Sequence, residues 1–376
     1  MTPFRIDIPQ ADLDDLDLRL RRTRLPDQVE GSGWSYGTDL DFLRHFVDYW
    51  ADGFDWRRAE TWLNSFPQFT DTIQGETVHF VHISSQSADA VPILLANGWP
   101  SNFVELLPLA QRLAESDPGF DVVIPSLPGY GFSGKPTRPG VNLTETANLW
   151  AELMSRLGYD RFLTSASDLG AGAVLGLLHS VPDRIIGAHW CNVYSQYPRP
   201  ENLSEAEKSY FKGVDQWMMA EGAYAMEQGT KPSTLAVGLN DSPAGLAAWI
   251  IEKFRTWGDT GGDVEKHFGL DTLCTIVSVY WFTQTIGSSV RMYKEAFADR
   301  ERIVKPLPAG IKHAVLVPAA CDLPAPREWG DRHLPGIVQW TVPGRGGHFP
   351  ALEIPDIMAD DIRAFARQTL GQGATG

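Results

Sequence analysis

The sequence predicts an α/β protein: a doubly wound, mostly parallel sheet with an all-helical insert between two of its strands and a helical strap at the N-terminus. Three observations carry this. Between residues 69 and 192 short β-rich runs alternate with helical stretches, the pattern of strand-helix-strand crossovers. Over residues 194–306 the strand pattern stops and helical stretches replace it. Strand-like runs then return at 312–318 and 337–342, before a closing helix at 355–368. The expected division is a strap at 1–66, a first part of the core at 67–193, a lid at 194–306, the rest of the core at 307–370 and a flexible tail at 371–376.

Taken in order, residues 6–25 place Leu13, Leu16 and Leu20 at helical spacing among Asp and Arg, an amphipathic helix that must lie on something larger. Residues 36–66 hold Phe42, Phe46, Tyr49, Trp50, Phe54, Trp56 and Trp62, read as a strap packed over the core rather than as a ligand platform. Strands are expected at 69–73, 78–83, 91–96 and 120–126, with a helix at 104–115 between the last two. A helix at 144–157, a strand at 161–165, a small-residue helix from 171 and a strand at 184–192 follow. In the insert, helices are expected at 204–228, 242–257 and 270–295, and Asn240-Asp-Ser-Pro-Ala-Gly245 starts the second with Pro243 near its first turn.

Composition narrows the function. With 43% hydrophobic residues the chain can bury a large core, yet it has no apolar stretch near the ~20 residues of a membrane span. It shows no charged-then-apolar leader, so the cytoplasm is the expected location. A formal charge of -15 without a basic cluster argues against nucleic acid and anionic membranes as partners. Cys191, Cys274 and Cys321 are odd in number and far apart, so they read as buried packing residues rather than disulfides or metal ligands. His79 and His82 face opposite sides of a strand and cannot converge on a metal. Gly129-Tyr-Gly131-Phe-Ser-Gly134 matches a dinucleotide-binding pattern, but Pro128, Pro136 and Pro139 leave no helix to receive a pyrophosphate. No cofactor is expected, and this loop reads as a wall at the carboxyl edge of the sheet.

The chemistry centres on Ala166-Ser167-Asp168-Leu169-Gly170, between an apolar run and a small-residue helix. Small residues around an acid at a strand-to-helix turn suit an elbow that presents a nucleophile; an Asp168 that merely caps the helix is the weaker alternative. A carboxylate attacks carbon electrophiles and leaves an ester on the enzyme, which points to epoxide or carbon-halogen opening. Asn97-Gly-Trp-Pro100 ends a neighbouring strand, so the backbone N–H groups of Trp99 and Leu169 could form an oxyanion hole; a plain Asn-Gly turn is the alternative. Asp322 and His348 follow the last two strands in the order nucleophile, acid, histidine, and would activate water. Tyr224, Tyr293 and Tyr280 are competing phenols on insert helices that could protonate a departing oxygen, although helix pattern alone favours packed aromatics.

With these residues in view, the chain resembles the microsomal-type epoxide hydrolases of the α/β-hydrolase superfamily, above all the soluble bacterial branch that includes enzymes of enediyne natural-product biosynthesis. The likeness runs through Pro3-Phe-Arg-Ile-Asp-Ile-Pro9, Val123-Ile-Pro-Ser-Leu-Pro-Gly-Tyr-Gly-Phe-Ser133, Gly229-Thr-Lys-Pro232, Leu239-Asn-Asp-Ser-Pro243, Arg291-Met-Tyr-Lys-Glu295 and Arg345-Gly-Gly-His-Phe349. The resemblance implies an α/β-hydrolase fold with a helical lid, Asp168 as nucleophile, His348 with Asp322 as the water-activating pair, and Tyr224 and Tyr293 as the acids, so it favours Tyr293 over Tyr280.

Two motifs depart from the family pattern. Its His-Gly-Trp-Pro appears as Asn97-Gly-Trp-Pro100, and its Gly-Gly-Asp-Trp-Gly as Ala166-Ser-Asp-Leu-Gly170, so a loop anchor and a wall of the substrate pocket around Asn97 and Trp99 are expected to differ. The substrate expected is a bulky, apolar small molecule, and a homodimer is left open. Two other readings keep the fold: carbon-carbon bond formation with Asp168 and His348 as base, and a catalytically silent ligand-binding protein.

Overall fold

The computed structural model describes residues 1–321 and 323–371. Its strands are β1 (Thr2–Phe4), β2 (Gln68–Ile73), β3 (Glu76–Ile83), β4 (Val91–Ala96), β5 (Phe120–Pro125), β6 (Phe162–Ala166), β7 (Ile185–Cys191), β8 (His313–Leu316) and β9 (Ile337–Thr341). They form one sheet in the order β1-β2-β3-β5-β4-β6-β7-β8-β9. The pairs from β1 to β5 are antiparallel and those from β5 to β9 parallel. Parallel strands are covered on both faces, which is why β6 is buried at every position. Its Ser165 hydroxyl is satisfied by His189 Nδ1 at 2.8 Å.

The predicted strands all recur. β1 is an addition: at three residues, pairing only with β2, it is too short to show alternation. The strap consists of helices Gln10–Arg21, Leu40–Asp52 and Trp56–Leu63. Phe46, Trp50 and Trp56 are buried as packing residues, whereas Trp62 is exposed. Trp50 Nε1 donates to Ser278 Oγ at 2.9 Å, so the strap packs on the insert. His79 is buried between Ser126 Oγ and Gln68 Oε1, while His82 meets the Tyr159 hydroxyl, on the opposite side of β3. After the glycine loop, where Gly129 and Gly131 have φ of 79° and 50°, the next helix begins only at Leu143.

The insert between β7 and β8 is helical throughout, with two corrections to its expected helices. The stretch 204–228 is broken at Gly222 into Glu205–Ala220 and Ala223–Thr230, and 270–295 is broken at Gln284 into Leu270–Thr283 and Ile286–Ala298. Gln284 takes the left-handed conformation (φ 51°). Apolar spacing continues across both breaks, so periodicity alone hides them. Pro232–Asp241 is a further short helix, and Ser242 caps Pro243–Trp257 by accepting from Gly245 N–H at 3.0 Å, with Pro243 in its first turn. The expected tail lies from residue 372 onward outside the described residues. No helix among the described residues is long and apolar enough to cross a membrane.

Candidate active site

β6 passes through Ser167 into Asp168, which starts the helix Asp168–Ser180 with a left-handed backbone (φ 48°). A non-glycine residue there is strained, and the strain turns its side chain out over the edge of the sheet. The Tyr194 hydroxyl, just past β7, donates to the Asp168 main-chain carbonyl. On the other side Gly98, just past β4, comes so close that a Cβ on it would stand 2.0 Å from Asp168 Oδ1 and 2.6 Å from the Leu169 nitrogen. Only glycine permits this approach, which brings Trp99 N–H to 3.0 Å from Asp168 Oδ1 as donor. The Leu169 nitrogen borders the same gap.

His348 arrives from the loop after β9, with Nε2 3.8 Å from Asp168 Oδ2, adjacent but beyond hydrogen-bond length. Its own N–H donates to the Trp257 carbonyl at 2.9 Å. Gly347 before it is another position where a side chain will not fit, since a Cβ would lie 2.6 Å from the Trp257 carbonyl oxygen. Asp322 lies outside the described residues; its neighbours Cys321 and Leu323 line the cavity above Asp168.

Tyr224 and Tyr293, from different insert helices, meet edge to face with ring centroids 5.7 Å apart. Trp99 stacks on Tyr224 at 5.4 Å and meets Tyr293 edge-on at 6.0 Å. Burial pushes the Tyr293 hydroxyl well above the ordinary phenol range, with Tyr224 and Asp168 adding to it, so it keeps its proton. That hydroxyl makes no hydrogen bond of ordinary length among the described residues, although Tyr224 stands beside it. Tyr280, by contrast, donates to the Ser101 carbonyl at 2.7 Å and does not line the cavity.

The cavity is about 880 Å³ and is lined by Asp168, Leu169, Tyr224, Tyr293 and His348 among others. Neither Asn97 nor Trp99, expected as its wall, lines it. Trp99 is fully buried behind the two phenols, and the Asn97 amide turns back onto the Gly98 carbonyl at 3.3 Å. Of the three cysteines expected to be packing residues only Cys274 is buried; Cys191 and Cys321 are half-buried on the cavity wall. Sequence reasoning also missed Tyr194 and Glu105. Glu105 is buried, and burial above all pushes its carboxyl up to about 7. The available signal was a lone acid inside the apolar run Phe103-Val-Glu-Leu-Leu107.

Residues 1–106 match the family model described as Epoxide hydrolase N terminus, and residues 91–229 the one described as alpha/beta hydrolase fold. Epoxide hydrolase 1 of Sus scrofa is 33% identical over 402 residues, covering 96% of this chain and 88% of that protein. The chain belongs to the epoxide hydrolase family. A protein of Stigmatella aurantiaca (strain DW4/3-1), provisionally assigned to the epoxide hydrolases by its name, is 38% identical over 98% of this chain and 85% of its own length. Among solved epoxide hydrolases, that of Aspergillus niger superposes with a TM-score of 0.87 at 33% identity over 98% of this chain and 96% of its own. The juvenile hormone epoxide hydrolase of the silkworm Bombyx mori gives 0.87 at 30% identity over 98% and 93%. The protein is thus an enzyme of the α/β-hydrolase fold. Of the residues that depart from the epoxide hydrolase pattern, Ser167 and Leu169 lie on the cavity wall, and Ala166 and Asn97 do not.

Proposed function

We propose that this enzyme opens a bulky, largely apolar epoxide to a vicinal diol through an alkyl ester on Asp168, in the assembly of a natural product of the enediyne-related kind. The observation that carries the reaction is the split environment of the Asp168 carboxylate: Oδ1 accepts the Trp99 N–H, while Oδ2 faces His348. Oδ2 attacks an epoxide carbon, the ring C–O bond breaks, and the oxygen takes a proton from Tyr224 or Tyr293. His348, oriented by Asp322, then removes a proton from water as it attacks the ester carbonyl, and charge builds on Oδ1 between the N–H groups of Trp99 and Leu169. Collapse breaks the bond from the Asp168 carbon to Oδ2, the proton of the added hydroxyl passes to the released oxygen to leave a diol and a carboxylate, and the proton on His348 restores the phenol. A cavity of about 880 Å³ supports a large substrate, and the resemblance to the soluble bacterial branch supports the biosynthetic setting.

The test is His348→Gln, which should leave ester formation largely intact and block its hydrolysis. With an epoxide that the wild type consumes, intact-protein mass spectrometry should show a gain of one substrate mass, placed by digestion on the peptide containing Asp168. An inactive mutant with no adduct would sink the covalent mechanism and point to base chemistry on the same fold.

A further inference from the structure

We infer that the substrate carries a carboxylate remote from its epoxide and that Arg302 binds it. This rests on the epoxide-opening reading and deepens it.

The Arg302 side chain is only 6% exposed and lines the same cavity as Asp168. None of its side-chain N–H groups donates a hydrogen bond among the described residues, and the buried Nε has an ion-pair neighbour but no hydrogen-bond partner. The nearest counter-charge is Asp299, with Oδ2 3.4 Å from Nε. That same oxygen is already committed to the start of the helix Leu143–Arg156, where it accepts the Thr144 N–H at 3.2 Å and the Thr144 hydroxyl at 2.7 Å. A desolvated guanidinium with unfilled donors is unfavourable unless a partner completes it, and its planar fork fits a carboxylate through two parallel hydrogen bonds.

Position places that partner beside the reaction. A Cβ on Gly172 would lie 3.3 Å from Arg302 Nη1, so the guanidinium rests on the elbow helix. Gly172 is four residues after Asp168, ~6 Å further along the same helix. A second observation agrees. Arg300, exposed and without an ion pair among the described residues, lines the same cavity. Setting His348 aside, the described lining carries one negative charge, Asp168, against two positive ones, in a chain of net charge -15. Neighbours such as Leu143, Phe297, Ile303 and Val304 are apolar, so the bound molecule is an apolar body with an acid end.

The test uses the full-length enzyme with a series of terminal-epoxy alkanoates of increasing chain length, the methyl ester of each, and styrene oxide. At least one acid should exceed its own ester in kcat/KM by tenfold or more. Arg302→Gln should collapse that ratio, and Arg302→Lys, which keeps the charge without the fork, should restore part of it. No acid preferred over its ester at any length would overturn the proposal, as would an Arg302→Gln variant that melts like wild type yet lowers acid and ester alike, the signature of a brace for Asp299. Should the wild type turn over none of these compounds, styrene oxide included, and form no ester on Asp168, the epoxide-opening reading itself would fall, and this inference with it.

Discussion

A single missing side chain sets the distance between Asp168, the proposed nucleophile, and its backbone donor. In Gly98→Ala the new Cβ would occupy the place of Asp168 Oδ1, 2.0 Å away, so the carboxylate must leave the Trp99 N–H. Displacements near 1 Å cost about 100-fold, and a fall in kcat of about that size is expected, with a thermal melt to show that the fold persists. The phenols make a second prediction. Tyr224→Phe and Tyr293→Phe keep the rings that pack on Trp99 but remove the proposed proton donor, so each should slow ester formation about 10- to 100-fold and the double change should nearly abolish it. Single-turnover measurement of the adduct reads this step; an unaltered rate in the double mutant would take both out of the chemistry. Asp168 was legible in the sequence because an acid between small residues at a strand end is a local pattern. Tyr194 was not, since a tyrosine after a strand signals nothing until its hydroxyl is found on the Asp168 carbonyl.

Among the elements, the loop that presents His348 is held from outside itself. Glu353, ending the short helix Pro350–Glu353, has a buried carboxylate that accepts the N–H of Gly347 at 3.0 Å and of Phe349 at 2.8 Å, on either side of the histidine. The same carboxylate accepts from Asp259 N–H at 2.7 Å and meets His267 Nε2 at 3.0 Å, tying the loop to the insert. Glu353→Gln weakens this clamp without touching Asp168. Hydrolysis of the ester should slow by about tenfold or more while its formation is retained, seen as accumulation of adduct before the steady state. Equal losses in both steps would argue against a role confined to the histidine. The glycine loop was readable from Gly344-Arg-Gly-Gly-His348, but the clamp joins residues more than 80 positions apart.

At the scale of the whole molecule, buried titratable groups set the response to acid. Burial lowers His79 to about 3 and His313 and His333 to about 4, against 6.5 when unfolded. The unfolded chain therefore takes up protons first, and stability falls as pH drops from about 6.5 toward 4. Glu105 acts oppositely: raised from 4.5 to about 7, it destabilises as pH rises across that interval. Burial also lowers His82 and His179 and raises Glu221, so five histidines against two carboxyls predict a net loss, and the melting temperature should be lower at pH 5 than at pH 7.5. In His79→Gln that difference should shrink, and an unchanged difference would show that His79 does not titrate in this way.

By itself the sequence determined the alternation of strands and helices, the helical insert, the elbow at Asp168 and the histidine loop. Each of these is written in spacing and turn chemistry within about a dozen residues. Helical spacing did not separate Tyr280 from Tyr293, and the family resemblance only favoured Tyr293; the tertiary structure puts Tyr293 on the cavity and ties Tyr280 to the Ser101 carbonyl, 179 positions away. It likewise moved Trp99 and Asn97 off the cavity wall and brought Cys191, Cys321 and Arg302 onto it. The reason is that a cavity between an insert and a sheet is bounded by whichever side chains the packing of the two leaves uncovered, a property of the assembled layers that no single segment carries.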